Sequence, residues 1–547
     1  MPEETGGASE KGGGPHLGEP ARIELVSLHW ERIQAVLRIR STMGALCPEE
    51  IRLARSAPEP AEPMPPTRSE HHDDELVLRF NVMLGPGQHP LASGRWLLCL
   101  RTGAPLRMVN RDLIDSLVHQ RTFRYRGGRY RVTPVHDETT GAPAFDIRNR
   151  RSASRPQPWH RRLRRWFRRA VRPRQRIFEL LLGLFRANVR RNGRRILFTS
   201  DSHAGLAGNL AVVHDRMVER GLDRTYELKT IFKPSVAAKR GWRDRVRLPR
   251  LLGRADVILI DDYQPIIYRL KPDPDVRIIQ LWHASGAFKT VGYSRVGKPG
   301  GPSPYARTHK NYTHATVSGQ HDVPYYAEAF GLPEERLIPT GIPRMDRFFD
   351  PEQLARGRDL AQRAFPAIQG RTTILFAPTF RGKGPRSAYY DFELIDWAAL
   401  HEVCTAKDAV VIVKMHPFVR QQVPIPARFG DRIIDGSPAL IDVNDLLFAV
   451  DLLITDYSSI VFEFSTLLRP MLFFAYDLED YVATRDFYVP FEEFVPGRIV
   501  GSFDELMNAI RHDAYQVEKV PSFASRHFDR LDGHATDRVI DELILKR

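Results

Sequence analysis

Apolar and polar residues alternate along the first third of the chain. RIELVSLHW (22–30), RIQAVLRIR (32–40), DDELVLRFNVML (73–84), GRWLLCLRT (94–102) and RTFRYRGGRYRVTPV (121–135) each carry the two-residue period of a half-buried strand. Pro, Gly and Asp stretches punctuate them, so residues 22–148 predict a small antiparallel sandwich. From Arg195 the pattern changes. ILFTS (196–200), YELKTIF (226–232), ADVILIDD (255–262), VRIIQLWHASG (276–286) and YTHATVSG (312–319) are short, almost wholly apolar strands with helical stretches between them. After a break at 343–370 the pattern restarts with TTILFAPTF (372–380), AVVIVKMHP (409–417), LLITDYSS (452–459) and PMLFFAYD (470–477). Continuous apolar strands between helices predict parallel sheets covered on both faces. The fold class expected is α/β, two Rossmann-like lobes at 195–345 and 346–547 preceded by the β-rich domain at 22–148.

At 547 residues the chain exceeds one core, and it has no apolar run of transmembrane length. Residues 1–21 are rich in Gly, Glu and Pro, lack a basic-then-apolar leader pattern and predict a disordered tail. Three scattered cysteines, Cys47, Cys99 and Cys404, argue against a disulfide framework or a zinc site and fit a reducing compartment.

Charge changes the picture at one place. Residues 151–195 hold sixteen arginines and a single acid, Glu179, which equals the entire net charge of +15. The rest of the chain is balanced, whereas a nucleic-acid enzyme usually spreads basic charge over its binding surface, so no nucleic-acid partner is expected. Within 151–194, Trp159, Leu163, Trp166 and Phe167 recur near helical spacing among Arg161, Arg164, Arg165 and Arg168. A second apolar stretch from Ile177 to Phe185 closes with Arg186, Arg190 and Arg191. Apolar side chains in a headgroup layer with guanidiniums on phosphates make an anionic-membrane anchor, each cation contributing about 1 kcal/mol. A charged linker helix and an RNA-binding segment are the other readings of the same residues.

Polar and titratable residues gather where the α/β strands end, which is where open parallel sheets bind ligands. His283 follows IIQLW, with Ser285, Gly286 and Lys289 just beyond, and an imidazole there suits proton abstraction from a hydroxyl. Lys414 and His416 end a second strand, stopped by Pro417. In TDYSS, Thr455, Ser458 and Ser459 offer hydroxyls at a helix start suited to a diphosphate, whereas Asp456 would repel phosphate unless turned away. APTFRGKG offers Thr379, Arg381 and Lys383 without the glycine spacing of a Walker loop. There is no HExxH and no zinc-type His/Cys set, and the pair Asp261–Asp262 is weak support for a metal, so neither metal nor cofactor is expected.

These segments together resemble the CDP-glycerol glycerophosphotransferase family, the teichoic acid primases and polymerases. The likeness spans about 195–540 and rests on SDSHAGLAGN (200–209), QLWHASGAFKTVGYSR (280–295), the 315–346 segment ending TGIPRMD, ILFAPTFRG (374–382), VKMHP (413–417), the 442–470 segment containing TDYSS, and FDRLDGHAT (528–536). It implies a glycosyltransferase-B-like pair of lobes and a CDP-glycerol or CDP-ribitol donor, glycerol in first place. It also implies a lipid-linked or polyol-phosphate acceptor and peripheral work at the cytoplasmic membrane face. A homo-oligomer stays open. The family's two histidines fall on His283 and His416, the expected catalytic pair. Donor binding falls to Thr379, Arg381, Lys414, Thr455, Asp456, Ser458, Ser459 and Glu463, and acceptor or phosphate binding to Ser285, Lys289, Gly205 and Asn209. One departure is Ala284, where the commonest family form has glycine. A glycosyltransferase using a nucleotide-sugar and a non-catalytic membrane or RNA tether are the rival readings. A tether loses everything without 151–195, whereas an enzyme keeps turnover on a small acceptor.

Overall fold

Alternation in the first third of the chain folds as the period predicts. The computed structural model describes residues 21–546 apart from 43–45, 58–61, 86–87, 111, 117–119, 126–127, 152–172, 188, 236–237, 272, 383 and 385. All but the last residue of the expected tail, Lys383, and the arginine-block residues Trp159, Arg161, Arg164, Arg165, Trp166, Phe167 and Arg168 lie outside the described residues. The chain forms two units, residues 1–156 with 293–306, and residues 157–292 with 307–547.

The first unit carries β1 (Arg22–Glu31), β2 (Gln34–Ser41), β3 (Ile51–Ala57), β4 (Arg68–His72), β5 (Glu75–Asn81), the two-residue β6 (Leu84–Gly85) and β7 (His89–Pro90), β8 (Gly94–Leu100), β9 (Arg107–Met108), β10 (Arg121–Tyr125), β11 (Gly128–His136) and β12 (Pro143–Arg151). Two five-stranded sheets form, ordered β4-β5-β2-β1-β9 and β10-β11-β12-β8-β3. All pairs in them are antiparallel except β1 with β9. Their inward side chains share one core, from Leu25, Leu37 and Leu78 to Trp96, Tyr130 and Ile147. In β1 the buried positions run Ile23, Leu25, then Leu28, because the register shifts between Leu25 and Ser27. That bulge restores the apolar face after one extra residue. Tyr130 crosses this core and donates its hydroxyl to the Val82 carbonyl at 2.8 Å, so its buried oxygen is satisfied. Tyr293 and Val296 lie in the same core, so residues 293–306, read from sequence as part of the first α/β lobe, pack as part of the sandwich.

The second unit holds two parallel sheets. The first comprises β13 (Arg195–Ser200), β14 (Glu227–Phe232), β15 (Val257–Ile260), β16 (Arg277–Gln280), β17 (His314–Thr316) and β18 (Leu337–Ile338), ordered β14-β13-β15-β16-β17-β18. The second comprises β19 (Thr372–Phe376), β20 (Ala409–Val413), β21 (Ile433–Asp435), β22 (Leu452–Thr455), β23 (Met471–Phe474) and β24 (Arg498–Val500), ordered β21-β20-β19-β22-β23-β24. Both faces of each are covered, which is why their strands read as unbroken apolar runs. In β13 and β15, Ile196, Phe198, Val257 and Leu259 face one core while Leu197, Ile258 and Ile260 face another.

The first of those cores is completed from far along the chain. Val539, Ile540, Leu543 and Ile544 pack into it. Arg216 grips Asp537 with two bonds of 2.9 and 2.8 Å, and Arg220 reaches Asp541 at 2.7 Å. The last residues therefore belong with the first sheet, although sequence order groups them with the second.

On the other face lies the helix Pro173–Ala187. Leu182 is buried, and Gly253 of the helix Asp244–Arg254 comes so close that a Cβ there would sit 2.9 Å from the Phe185 Cβ. Ile177, Leu180 and Leu184, three and four residues apart, remain 55, 72 and 56% exposed. Arg186 and Arg191 both pair with Asp273, at 3.6 and 2.9 Å, instead of facing outward as the anchor reading supposed. Among the described residues no helix is long and apolar enough to cross a membrane.

Candidate functional site

Each parallel sheet reverses its strand order at one place, and loops leaving the carboxyl ends there splay apart to leave a crevice. In the first sheet the reversal lies between β13 and β15, in the second between β19 and β22. The segments that leave those strands are Asp201–His203 and Asp261–Asp262, then Ala377–Arg381 and Asp456–Ser459.

His283 is presented from the neighbouring β16 by a strained turn. Trp282 has φ of 48°, a left-handed conformation that costs a non-glycine residue about 1–2 kcal/mol. Burial of its indole among Tyr263, His309, Tyr326 and Phe330 holds it there. Asn209, buried at the start of the helix Gly208–Glu219, donates its amide to the Trp282 carbonyl and accepts from the Arg344 backbone N–H at 2.9 Å. The His283 side chain keeps 54% exposure, with its Nδ1 3.5 Å from Asp262 Oδ1. Asp262 is itself oriented: Oδ1 accepts from the Tyr263 N–H and Oδ2 from the Ser202 hydroxyl, both at 2.6 Å. A carboxylate beside Nδ1 favours the tautomer protonated there, which leaves Nε2 to accept a proton. Desolvation lowers the His283 imidazole below its ordinary value, against the pull of Asp262. His203, in the segment that leaves β13, is raised instead by its bond to Asp261 at 3.2 Å.

A buried clasp joins the two sheets beside this turn. Glu463, on the short helix Ile460–Ser465, accepts from the Ser285 hydroxyl at 2.8 Å and from the Arg344 guanidinium, which also reaches Ser285 at 3.1 Å. Gly286 is required here, because a Cβ would lie 2.1 Å from the Phe462 ring. Just beyond, Phe288 and Thr290 bond across to Tyr488 and Asp486 at 3.1 and 2.9 Å. That bridge sets the Lys289 ammonium 5.3 Å from the Tyr481 ring and near His416.

On the second sheet Arg381 is a hub rather than an open cation. It binds Asp477 through two bonds of 2.6 and 2.8 Å and Asp456 at 2.9 Å, over the rings of Tyr457, Tyr476 and Tyr481. Asp456 also accepts from the Thr379 N–H and hydroxyl, both at 2.8 Å, so its carboxylate is turned into the protein. Thr455 is buried with its hydroxyl on the Ala377 carbonyl at 2.7 Å. Lys414 donates to the Gly436 and Ala439 carbonyls, both at 2.8 Å, and props the loop after β21. His416 Nδ1 accepts from the Phe418 N–H at 3.1 Å, so a neutral ring carries its proton on Nε2. Desolvation and then the Lys289 charge lower this imidazole below its ordinary value. Ser459 is exposed and its hydroxyl makes no capping bond, while Ser458 is half-buried and accepts weakly from the Ile460 N–H at 3.4 Å.

The structure thus leaves His283, His416, Lys289, Ser458 and Ser459 with surface to offer a ligand. Ser285, Thr455, Asp456, Arg381, Lys414 and Asn209, all expected as ligand-binding groups, are held by protein partners, as is Oε1 of Glu463, whose Oε2 is buried without a hydrogen-bond partner among the described residues. Gly205 is exposed, and nothing among the described residues lies within 4 Å of where its Cβ would be. Sequence reasoning missed Asp262 as the partner of His283 and Arg344 as the partner of Glu463. The Asp pair after a strand and the arginine of TGIPRMD were the signals available.

A family model described as CDP-Glycerol:Poly(glycerophosphate) glycerophosphotransferase matches residues 183–545. The chain is 46% identical over 367 residues to Teichoic acid ribitol-phosphate polymerase TarK of Staphylococcus aureus, covering 67% of this chain and 71% of that protein. It is 28% identical over 295 residues to Teichoic acid glycerol-phosphate primase of Bacillus subtilis, covering 53% and 74%. Among solved structures, the Wall Teichoic Acid Polymerase TagF aligns with a TM-score of 0.55 at 22% identity, over 71% of this chain and 97% of that one.

The hub makes a stability prediction. Arg381→Met leaves two carboxylates uncompensated and should destabilise the second unit by about 3–5 kcal/mol. Arg381→Lys should recover only part, since an ammonium has no fork for Asp477. Urea unfolding checks both.

Proposed function

The chain belongs to the CDP-glycerol:poly(glycerophosphate) glycerophosphotransferase family, and on that premise we propose that it transfers an alditol phosphate, ribitol phosphate first, from a CDP-linked donor to a hydroxyl of a lipid-linked or polymeric acceptor, releasing CMP. The observation that carries this reading is the Asp262–His283 pair, an imidazole from β16 set against a carboxylate that leaves the switch-point strand β15, with the turn beyond it clasped to the second sheet's switch-point helix. The two sheets then act as a glycosyltransferase-B-like pair around the donor.

His283 Nε2 takes the proton of the acceptor hydroxyl as its oxygen forms a bond to the alditol-bearing phosphorus. The phosphoanhydride bond to CMP breaks, and the leaving phosphate keeps the electron pair. Ser458 and Ser459 donate to the diphosphate, His416 donates from Nε2, and Lys289 adds positive charge. Positioning and charge stabilisation supply most of the rate in such a transfer. Arg381 and Asp456 act indirectly, by fixing the loop that carries Thr379 and the turn that carries the serines.

Ribitol replaces glycerol as the first choice because identity is 46% to a ribitol-phosphate polymerase and 28% to a glycerol-phosphate primase. Teichoic-acid-type polymer synthesis at a membrane is the setting this implies. The exposed Ile177, Leu180 and Leu184 support peripheral attachment, as does a cavity of about 470 Å³ lined by Lys229 of β14 and by Arg247, Arg250 and Arg254 on the helix packed beside theirs.

Three outcomes are expected. His283→Ala should lower CMP release from CDP-ribitol by about 10²–10⁴-fold while donor binding persists, and full turnover would refute the assignment. CDP-glycerol and nucleotide-sugars in the same assay separate the donor classes. The acid limb of kcat/KM should lie below about 6.5, since the base is lost only as pH falls through a depressed value. Asp262→Asn removes the group opposing that depression and should move the limb lower still as kcat drops. Replacing Ile177, Leu180 and Leu184 together by Gln should weaken sedimentation with anionic vesicles and spare turnover of a soluble acceptor. Unlike deletion of 151–195, it leaves the Leu182 face packed.

A further inference from the structure

A second set of side chains, apart from the residues proposed for transfer, has the composition of a metal site. His321 and Asp322 lie in the turn Gln320–Asp322, which follows β17 and leads into the helix Val323–Phe330. His527 ends the helix Lys519–His527, whose Val520 and Phe523 belong to the core of the second sheet. One ring nitrogen from each histidine and one Asp322 oxygen all lie within 4.8 Å of one another.

Asp322 is fully buried and His527 is 2% exposed. Asp322 Oδ1 faces His527 Nδ1 at 3.2 Å, whereas Oδ2 is buried without a hydrogen-bond partner among the described residues. The surroundings are apolar: the rings of Phe462, Phe494 and Phe523 stand 5.0, 5.6 and 4.6 Å from the His527 ring. A half-satisfied carboxylate in such a setting is costly, and a cation is one way to satisfy it. The backbones that carry the ligands are already locked together. A Cβ at Gly319 would come within 2.8 Å of the His527 carbonyl, and the Gln320 N–H donates to Asp529 at 2.9 Å.

We propose that His321, Asp322 and His527 bind a divalent transition metal of the Zn²⁺ class, which ties the segment leaving the second sheet to the first. Two imidazoles and a carboxylate are a borderline N/O donor set, and the half-buried His321 leaves an approach for a fourth ligand from water. Tetrahedral bonds of about 2.0–2.1 Å need the donors to close to about 3.4 Å, a movement the His321 side chain supplies by rotation. Asp322 and His527 lie 205 residues apart and the three residues match no compact metal motif, which hides them from any reading of local pattern. The ion is structural here and is independent of the transfer reaction.

The test uses the full chain without an affinity tag. Zn²⁺ loading followed by exhaustive dialysis and elemental analysis should find about one ion per chain, and Co²⁺ loading should give the visible bands of a four-coordinate site. Zn²⁺ should raise the melting temperature of the parent protein. His321→Ala, at a half-buried position that tolerates truncation, should weaken Zn²⁺ binding by more than about 10-fold and abolish the shift. His534→Ala, at an exposed histidine elsewhere, should retain both. Substoichiometric metal in the parent protein, or binding unchanged by His321→Ala, overturns the proposal and leaves a plain His527–Asp322 hydrogen bond. Neither result bears on CMP release, so the two readings fail separately.

Discussion

One buried carboxylate governs the geometry of the second unit. Glu463 is a buried point at which the two parallel sheets share polar contacts, and through Arg344 and Asn209 it is continuous with the Trp282 turn that presents His283. Such a cluster gains little net stability, because removing the charges from water offsets most of their attraction. What it contributes is specificity: this arrangement of the two loops brings the guanidinium, the Ser285 hydroxyl and the Asn209 amide onto their partners together. Gly286 against Phe462 enforces the same arrangement by exclusion, since any longer residue would push the loops apart.

The histidine turn shows how a site can be built from strain held by packing. A left-handed Trp282 is unfavourable alone, yet four rings around its indole and a bond from Asn209 to its carbonyl over-determine the conformation. The imidazole that follows rests against the indole face, with ring centroids 4.3 Å apart. Its orientation is therefore fixed on one side by an aromatic surface and on the other by Asp262.

Much of this was legible in the sequence. Period-two alternation marked the sandwich strands, and unbroken apolar runs marked sheets covered on both faces, because those patterns follow directly from which faces meet water. His283 and His416 were legible because they stand at strand ends. The roles of Ser285, Glu463, Arg381 and Lys414 were not. A polar residue after a strand faces a ligand or a neighbouring loop with equal ease, and the choice depends on partners 20 to 180 residues away. The same non-locality hid residues 293–306, which leave the α/β run to pack in the sandwich core, and the pairing of Arg344 with Glu463.

The return of Val539, Ile540, Leu543 and Ile544 to the first sheet bears on how the protein is made. During synthesis the strands from Arg195 to Gln280 emerge long before these residues, which close one side of their core. Domains that fold as they leave the ribosome do so from local contacts, and here an apolar face that the helix Gly208–Glu219 covers in part waits some 260 residues for the rest of its cover. The nascent chain therefore carries a partly covered, aggregation-prone face while the second sheet is being made, and the first lobe matures only afterwards.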